Sequence, residues 1–393
     1  MMPILSVVIP TQNRYESLLP LLRVLLAFPR QDLEIVVADN SGDNAPYRAA
    51  MGGVEDPRFH YHHDPAPMSL IANCDRSVVL ARGEFVCMLG DDDGLAAWAP
   101  EVADWLKAAG GDALTASRPM YRWPGVQVRL FGAGDRGAAF LTDPRGRLRR
   151  LDPGRELDRV LRVGATDMRR LPRVYHGLVR RTTLDTLRDR YGTCFPGPSP
   201  DMANAVALCT VVQAFWWTDF PVVITGNMPR SGGGRGARRD HVGTVAAQPH
   251  LPPETAAEWS PGVPMFWSGP TIWAEATLKA LAAMGPQRRS RFSFVYLLGV
   301  CRVFHGAHRA DIVAAERRVA ESRRVPRVLL MPAILWAMAR VTAARALSLA
   351  RTVAWRFGLG PFRRVDGLAT IEDCMAVIHA RYARWPKPWE RPL

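Results

Sequence analysis

The sequence predicts an α/β fold, a mostly parallel sheet with helices on both faces, followed by an α-helical C-terminal region. Three observations carry this. Short, nearly continuous apolar runs recur through the first half of the chain. Segments with helical spacing separate them. Each run ends in polar residues rather than in a tight hairpin turn. Strands buried on both faces read as continuous apolar runs, and their alternation with helices marks parallel pairing.

The first strand is Leu5 to Ile9, closed by Pro10 and Thr11, and a helix follows from about Glu16 to Ala27. Leu33 to Ala38 is the second strand, closed by Asp39-Asn40-Ser41-Gly42, and Phe59 to His62 is a short third. Leu70 to Ala81 has helical period, and Phe85 to Leu89 is the fourth strand. Ala97 to Ala108 reads as a helix and Ala113 to Ala116 as a strand. From about Met120 to Arg170 the periodicity dissolves into Gly, Pro and Arg, which predicts a long excursion with a short hairpin. Order returns with the strand Val174 to Val179 and a helix from Thr182 to Tyr191, capped by Thr182 or Thr183. A rigid Pro/Gly loop leads to a helix from Met202 to Val211, capped by Ser199 or Asp201, and Phe215 to Thr225 supplies two more strands.

Three units are expected: residues 1–230 as the α/β domain, 231–263 as a flexible Gly/Arg/Pro-rich loop, and 264–393 as a helical region. In the last, Val328 to Phe357 is apolar, with Arg340, Arg345, Arg351 and Arg356 along it off any single narrow stripe. Packing as core helices is the preferred reading, and a membrane-surface position with arginines reaching headgroups is the other. No run of eighteen uncharged apolar residues exists, so no spanning helix is expected. The N-terminus lacks the charged start of a signal peptide.

The chain has 393 residues, 48% of them hydrophobic and 22% charged, an ordinary globular balance that supports a sizeable core. The net charge of +14 favours an anionic partner. Nucleic acid is not expected, because the arginines are scattered and no zinc-finger, RRM or P-loop spacing occurs. The six cysteines form no CxxC pair and read as small core residues.

The most informative stretch is Phe85 to Leu95, where an apolar strand ends in Asp91, Asp92 and Asp93. Three adjacent carboxylates repel one another unless a cation sits among them. Hard divalent ions take one or two carboxylates together with substrate phosphates. A solvated acidic turn is the alternative. In parallel sheets ligands bind beyond the carboxyl ends of the strands, and Thr11-Gln12-Asn13, Asp39-Asn40 and the triplet all lie at those ends.

The segments SVVIPTQNR (Ser6 to Arg14), LEIVVADNSGD (Leu33 to Asp43), NCDRSVVLARGEFVCMLGDDDGL (Asn73 to Leu95) and SPDMANA (Ser199 to Ala205) resemble the family 2 glycosyltransferases, inverting enzymes of the GT-A fold. The resemblance covers about residues 3–230. It implies that Pro10, Thr11 and Asn13 line a nucleotide pocket, that Asp39 bonds the base, and that Asn73 and Arg76 lie near the ribose or diphosphate. It also implies a divalent metal, Mn²⁺ or Mg²⁺, at the acidic triplet. Gly90 stands where many relatives carry Asp, so the register is open: Asp91 touches the ribose, and Asp92 or Asp93 holds the metal. His241 completes the metal site in this reading, or is a solvated loop histidine. Asp201 matches the general base, with Asp219 a weaker candidate. His176 contacts the acceptor or packs beneath the sheet.

The expected function is metal-assisted transfer of a sugar from a nucleoside-diphosphate sugar, a UDP-sugar first of all, to an acceptor hydroxyl. The expected setting is bacterial surface polysaccharide or glycolipid synthesis. The acceptor is expected to be a glycan or lipid-linked, and the protein cytoplasmic or peripheral on the cytosolic face of the membrane. A sugar-phosphate nucleotidyltransferase and a catalytically degenerate sugar-nucleotide-binding protein are the alternatives. The first normally needs a Gly-rich basic signature after the first strand, which Pro10 to Arg14 does not supply.

Overall fold

A computed structural model describes residues 2–126, 136–231, 242–248, 251, 253–284, 288, 290–356 and 362–391. Its larger sheet has eight strands in the order β3-β2-β1-β4-β10-β6-β11-β9. These are β1 (Leu5–Thr11), β2 (Leu33–Asp39), β3 (Phe59–His63), β4 (Phe85–Met88), β6 (Ala113–Ala116), β9 (Leu148–Leu151), β10 (Gly177–Arg180) and β11 (Phe215–Thr218). A second sheet runs β13-β8-β7-β12-β5, from β5 (Gly94–Leu95), β7 (Met120–Arg122), β8 (Ala138–Thr142), β12 (Val223–Asn227) and β13 (Phe362–Asp366).

The parallel expectation holds at the heart of the large sheet: β1 pairs parallel with β2 and β4, and β2 with β3. β1, β2 and β4 are buried at every position, which is why their sequences are uninterrupted apolar runs. β10 is antiparallel to both β4 and β6, so β6 runs the same way as β4. The carboxyl ends of β1, β2, β4 and β6 and the start of β10 therefore share one edge. One face of the sheet is covered by a core that includes Leu18, Leu22, Val102 and Leu106, the other by one that includes Val78, Leu184 and Leu187.

The expected excursion after Met120 contains the hairpin: β7 and β8 pair antiparallel. Two helix starts differ from expectation. Helix Arg181–Tyr191 begins after Arg180 rather than at a threonine cap, because Arg180 is still held by β10. Helix Pro200–Leu208 begins at Ser199, whose hydroxyl bonds Asp201 instead of capping the backbone.

A separate helical core joins Pro153–Leu161, Pro200–Leu208, Gly269–Ala282, Phe294–Phe304 and Arg309–Ser322. The chain's last part does not stay with it. β13 pairs with β8, and helix Ile371–Tyr382 buries Ile371, Cys374, Met375 and Ile378 in the same core as β1 and helix Tyr15–Leu26. Arg23 clasps Glu372 through two bonds of 2.9 and 3.0 Å. The packing thus assigns residues 362–391 to the N-terminal domain rather than to the region expected from 264 onward.

Candidate active site

The strand ends meet as the parallel register requires, with Thr11 opposite Asp39. Asn73 reaches over from helix Leu70–Val79 and donates to the carbonyls of Ala38 (3.0 Å) and Thr11 (3.3 Å), tying β1, β2 and the helix together. Asn13 takes a left-handed conformation, φ 54°, and its amide donates to Ser41 Oγ at 2.7 Å. Pro10 is buried inside the strand.

The three aspartates have three different environments. Asp91 is fully buried and accepts from Thr11 Oγ1 at 2.6 Å, with Arg14 Nε at 3.1 Å and Ser17 Oγ at 3.5 Å. Burial pushes its carboxyl up, and Arg14 opposes that. A ribose hydroxyl, the partner the resemblance implies, would have to compete with Thr11, Arg14 and Ser17 for its oxygens. Asp93 is also fully buried. Its Oδ2 accepts from Gly90 N at 2.7 Å and His176 Nε2 at 2.5 Å, and its Oδ1 from Gly226 N at 2.8 Å. Oδ2 thus takes two donors and Oδ1 one, so Asp93 is held more firmly by the protein than Asp92 is.

Asp92 is the least engaged of the three among the described residues, held by Met228 N at 3.2 Å and the Ser231 hydroxyl. Burial, Asp93 and Asp91 together push its carboxyl up to about 7. A side chain at position 90 would crowd Asp93 Oδ2 at 2.9 Å and Asp92 Oδ1 at 3.1 Å, which explains why glycine stands there.

The elevated Asp92 value has a direct consequence. The native state holds that proton more tightly than the unfolded chain does. The resulting stabilisation is complete below about pH 4 and is lost as pH rises through about 7. Thermal melts of metal-free protein from pH 5 to 8 should show this loss, and Asp92→Asn should flatten it.

Gly226 lets β12 press on the triplet, since a Cβ there would lie 1.6 Å from the Asp92 carbonyl oxygen. Gly226→Ala should cost at least the ~3 kcal/mol upper end of overpacking, read by urea denaturation.

His176 is buried, with φ 65°. Arg118 Nη1 lies 2.8 Å from its Nδ1. Arginine only donates, so Nδ1 accepts and Nε2 carries the proton given to Asp93. Burial lowers the His176 pKa and keeps the ring neutral. The adjacent Tyr175 ring stacks on it at 3.9 Å. Burial, with the charges of Asp93, Asp92 and Asp201, pushes the Tyr175 hydroxyl well above its ordinary value. Asp201 Oδ1 accepts from Met202 N at 2.8 Å and from Ser199 Oγ, and Oδ2 from Trp273 Nε1 at 3.1 Å.

Other expected residues fare differently. Asp39 is saturated: Tyr15 and Tyr61 hydroxyls donate to Oδ2 at 2.6 Å each, and Ser41 N (2.8 Å) and Oγ (2.5 Å) to Oδ1. Pairing with a nucleotide base would require one tyrosine to let go. Burial and Asp39 push the Tyr15 hydroxyl up to about 12. Arg76 donates to the His62 carbonyl at 3.3 Å, leaving its buried Nη1 unpartnered. Asp219 accepts the amides of Arg145 (2.9 Å) and Arg147 (2.8 Å), a turn-stapling role rather than that of a base. His241 lies outside the described residues, as do residues 232–240 of the expected flexible loop. Among those described, no three His, Cys, Asp or Glu side chains form a metal cage.

Residues 6–195 match the model of glycosyl transferase family 2. The chain carries a family 2 glycosyltransferase domain. The protein is a glycosyltransferase, which sets aside the nucleotidyltransferase alternative. No curated protein matches this glycosyltransferase in sequence. Similar solved structures include S. aureus TarS 1-349 in complex with UDP, 14% identical over 81% of this chain and 91% of that one, TM-score 0.45. The mannosyltransferase PcManGT from Pyrobaculum calidifontis, in complex with GDP-Man and Mn²⁺, is 16% identical over 98% and 88%, TM-score 0.41.

Arg14, Arg118, Arg173 and Tyr175 are site residues that sequence reasoning did not single out. Arg14 closes the first quoted motif, three residues past Thr11 at a strand tip, which is the one local signal available.

Proposed function

We propose that this glycosyltransferase is an inverting enzyme, with Asp92 the carboxylate that contacts a divalent cation and Asp201 the general base. The observation that carries the reading is that two carboxylates both act on the buried Tyr175 hydroxyl: Asp92, weakly held by the protein, and Asp201, fixed at the start of helix Pro200–Leu208.

The donor set suits a hard cation through one carboxylate, the remaining ligands coming from substrate phosphates. Bound there, the ion neutralises charge growing on the leaving diphosphate. The protein's own share lies in position and proton transfer. Asp201 Oδ1 is locked by Met202 N and Ser199, while Oδ2 keeps a lone pair beyond its bond to Trp273. An acceptor hydroxyl placed on Oδ2 loses its proton to it as the oxygen attacks the anomeric carbon. Asp91 and Asp93 hold the frame: the first anchors β1 through Thr11 and Arg14, the second anchors β12 and β10 through Gly226 and His176.

A uridine nucleotide fits if its imide N–H replaces one tyrosine at Asp39. Surface polysaccharide or glycolipid synthesis is the setting that the basic, apolar C-terminal region favours. The test has two arms. UDP or GDP with Mn²⁺ should raise the melting temperature. With a turned-over donor, nucleoside diphosphate release should stop on adding EDTA. Metal-independent turnover, or no response to any nucleotide with Mn²⁺, counts against the reading.

A further inference from the structure

We propose that Arg118 and Arg173 form a docking point for an anionic group, a phosphate or carboxylate, carried on the acceptor beside Asp201. The proposal rests on the reading of this cleft as a site of glycosyl transfer.

Most buried or half-buried arginines in the protein have an acid against them: Arg14 has Asp91, Arg58 has Asp56, and Arg302 and Arg327 share Glu316. Arg173 does not. It is 3% exposed, its Nη1 makes one long bond of 3.4 Å to the Arg169 carbonyl, and its buried Nε has no partner. Arg118 makes its bond to neutral His176 and pairs with no carboxylate among the described residues. Burial and the neighbouring Arg118 push the Arg173 pKa down to about 9, the mark of a cation lacking a counter-ion. An unpaired buried charge is costly, and an arriving anion relieves that cost.

The placement fits the acceptor rather than the nucleotide. Arg118 follows the end of β6 and Arg173 precedes β10, both on the ligand edge of the sheet. Both feel Asp201. Thr11, Asn73 and Arg76 stand on the other side of the triplet, around β1 and β2. Guanidinium groups grip phosphate and carboxylate through paired N–H donors.

The test uses the full chain. First, whichever of UDP and GDP stabilises it with Mn²⁺ is added to saturation. Inorganic phosphate, glycerol 3-phosphate and glucuronate are then titrated and melting temperature is read. A further saturable rise with at least one of them is expected. It should weaken about tenfold or more in Arg118→Gln, with nucleotide binding unchanged. Arg118 is partly open to solvent, so this variant should fold, and Arg173→Lys tests the buried partner. Equal anion responses in wild type and Arg118→Gln overturn the proposal. So does an effect confined to a nucleoside-diphosphate uronate donor, which would assign the arginines to the donor sugar. Failure of every nucleotide would instead strike the underlying reading.

A second inference has independent support: we infer that the long helix Met331–Arg356 lies on an anionic lipid surface. The helical stretch Arg327–Thr352, which takes in the turn before this helix, is long and apolar enough by length and composition to cross a membrane, which the sequence reading did not expect. One face, however, is spent on protein: Leu330, Ile334, Ala337 and Val341 are buried. At 100° per residue the opposite face carries Leu335, Trp336, Ala339, Ala343 and Leu347, all exposed and none charged. Trp336 is 58% exposed and Leu335 55%. Arg340 and Arg351 flank this stripe on one side, while Arg345 projects beside the buried face, one turn after Val341. Residues 322–365 include nine arginines and no acidic residue. An apolar stripe bordered by arginines suits the headgroup boundary of an anionic bilayer.

Flotation with vesicles of phosphatidylcholine, with and without phosphatidylglycerol, tests this. Binding should need the anionic lipid and weaken with salt, and Trp336→Glu, at an exposed position, should abolish it without lowering the melting temperature. Unchanged flotation of Trp336→Glu overturns the inference. So does a dimer, seen by light scattering and broken by Trp336→Glu, in protein that does not float.

Discussion

Asp92→Asn is expected to stop sugar transfer while leaving the protein folded. Its carboxylate receives little from the protein, one amide at 3.2 Å and a serine hydroxyl, so an amide in its place forfeits little stability. It even removes a charge from a crowded buried trio. What it loses is the anionic oxygen for a cation, and turnover should fall on the order of 10³-fold, the scale for removing one preorganised electrostatic partner of the transition state. The contrasting variant is Asp93→Asn. There an amide nitrogen would face one of three donors, Gly90 N, Gly226 N or His176 Nε2. About 3 kcal/mol of stability should go with it. Denaturation midpoints and turnover measured side by side separate the two. Full activity in Asp92→Asn would sink the metal assignment, and equal destabilisation by both would sink the division of labour within the triplet.

Asp201→Asn is expected to cost 10²- to about 10⁴-fold in turnover with nucleotide affinity intact, the span of general base catalysis. The carboxamide can still accept from Met202 N and Ser199, so the helix start should survive. The substituted nitrogen would meet Trp273 Nε1, donor against donor, and Trp273→Phe controls for that conflict. If the loss appears in nucleotide affinity instead of turnover, Asp201 is not the base.

Much of this was legible in the sequence. β1, β2 and β4 are uninterrupted apolar runs because both of their faces are covered, and their polar tips share one edge because the pairing is parallel. What was not legible is the sorting of Asp91, Asp92 and Asp93. That depends on donors far away in the chain: Thr11 and Arg14 for the first, His176 and Gly226 for the last. No local spacing encodes such partners. The unpaired state of Arg173 is equally invisible, since it consists of what does not stand beside the residue. The return of the chain's end to the N-terminal core escaped notice because Ile371–Tyr382 reads like any other amphipathic helix, and its destination is set by the groove against helix Tyr15–Leu26.

That return bears on how the molecule is made. Tyr121 donates to the Leu368 carbonyl at 2.9 Å, Tyr382 to that of Thr142 at 2.7 Å, and the ring of Phe220 lies against Tyr382 and Trp389. A nascent chain stalled before residue 362 would leave the ribosome with this apolar seam bare. The N-terminal domain must therefore wait, partly assembled, until residues 362–391 have been made. Shortened forms that stop after residue 230 should accumulate as aggregates rather than as a small working enzyme.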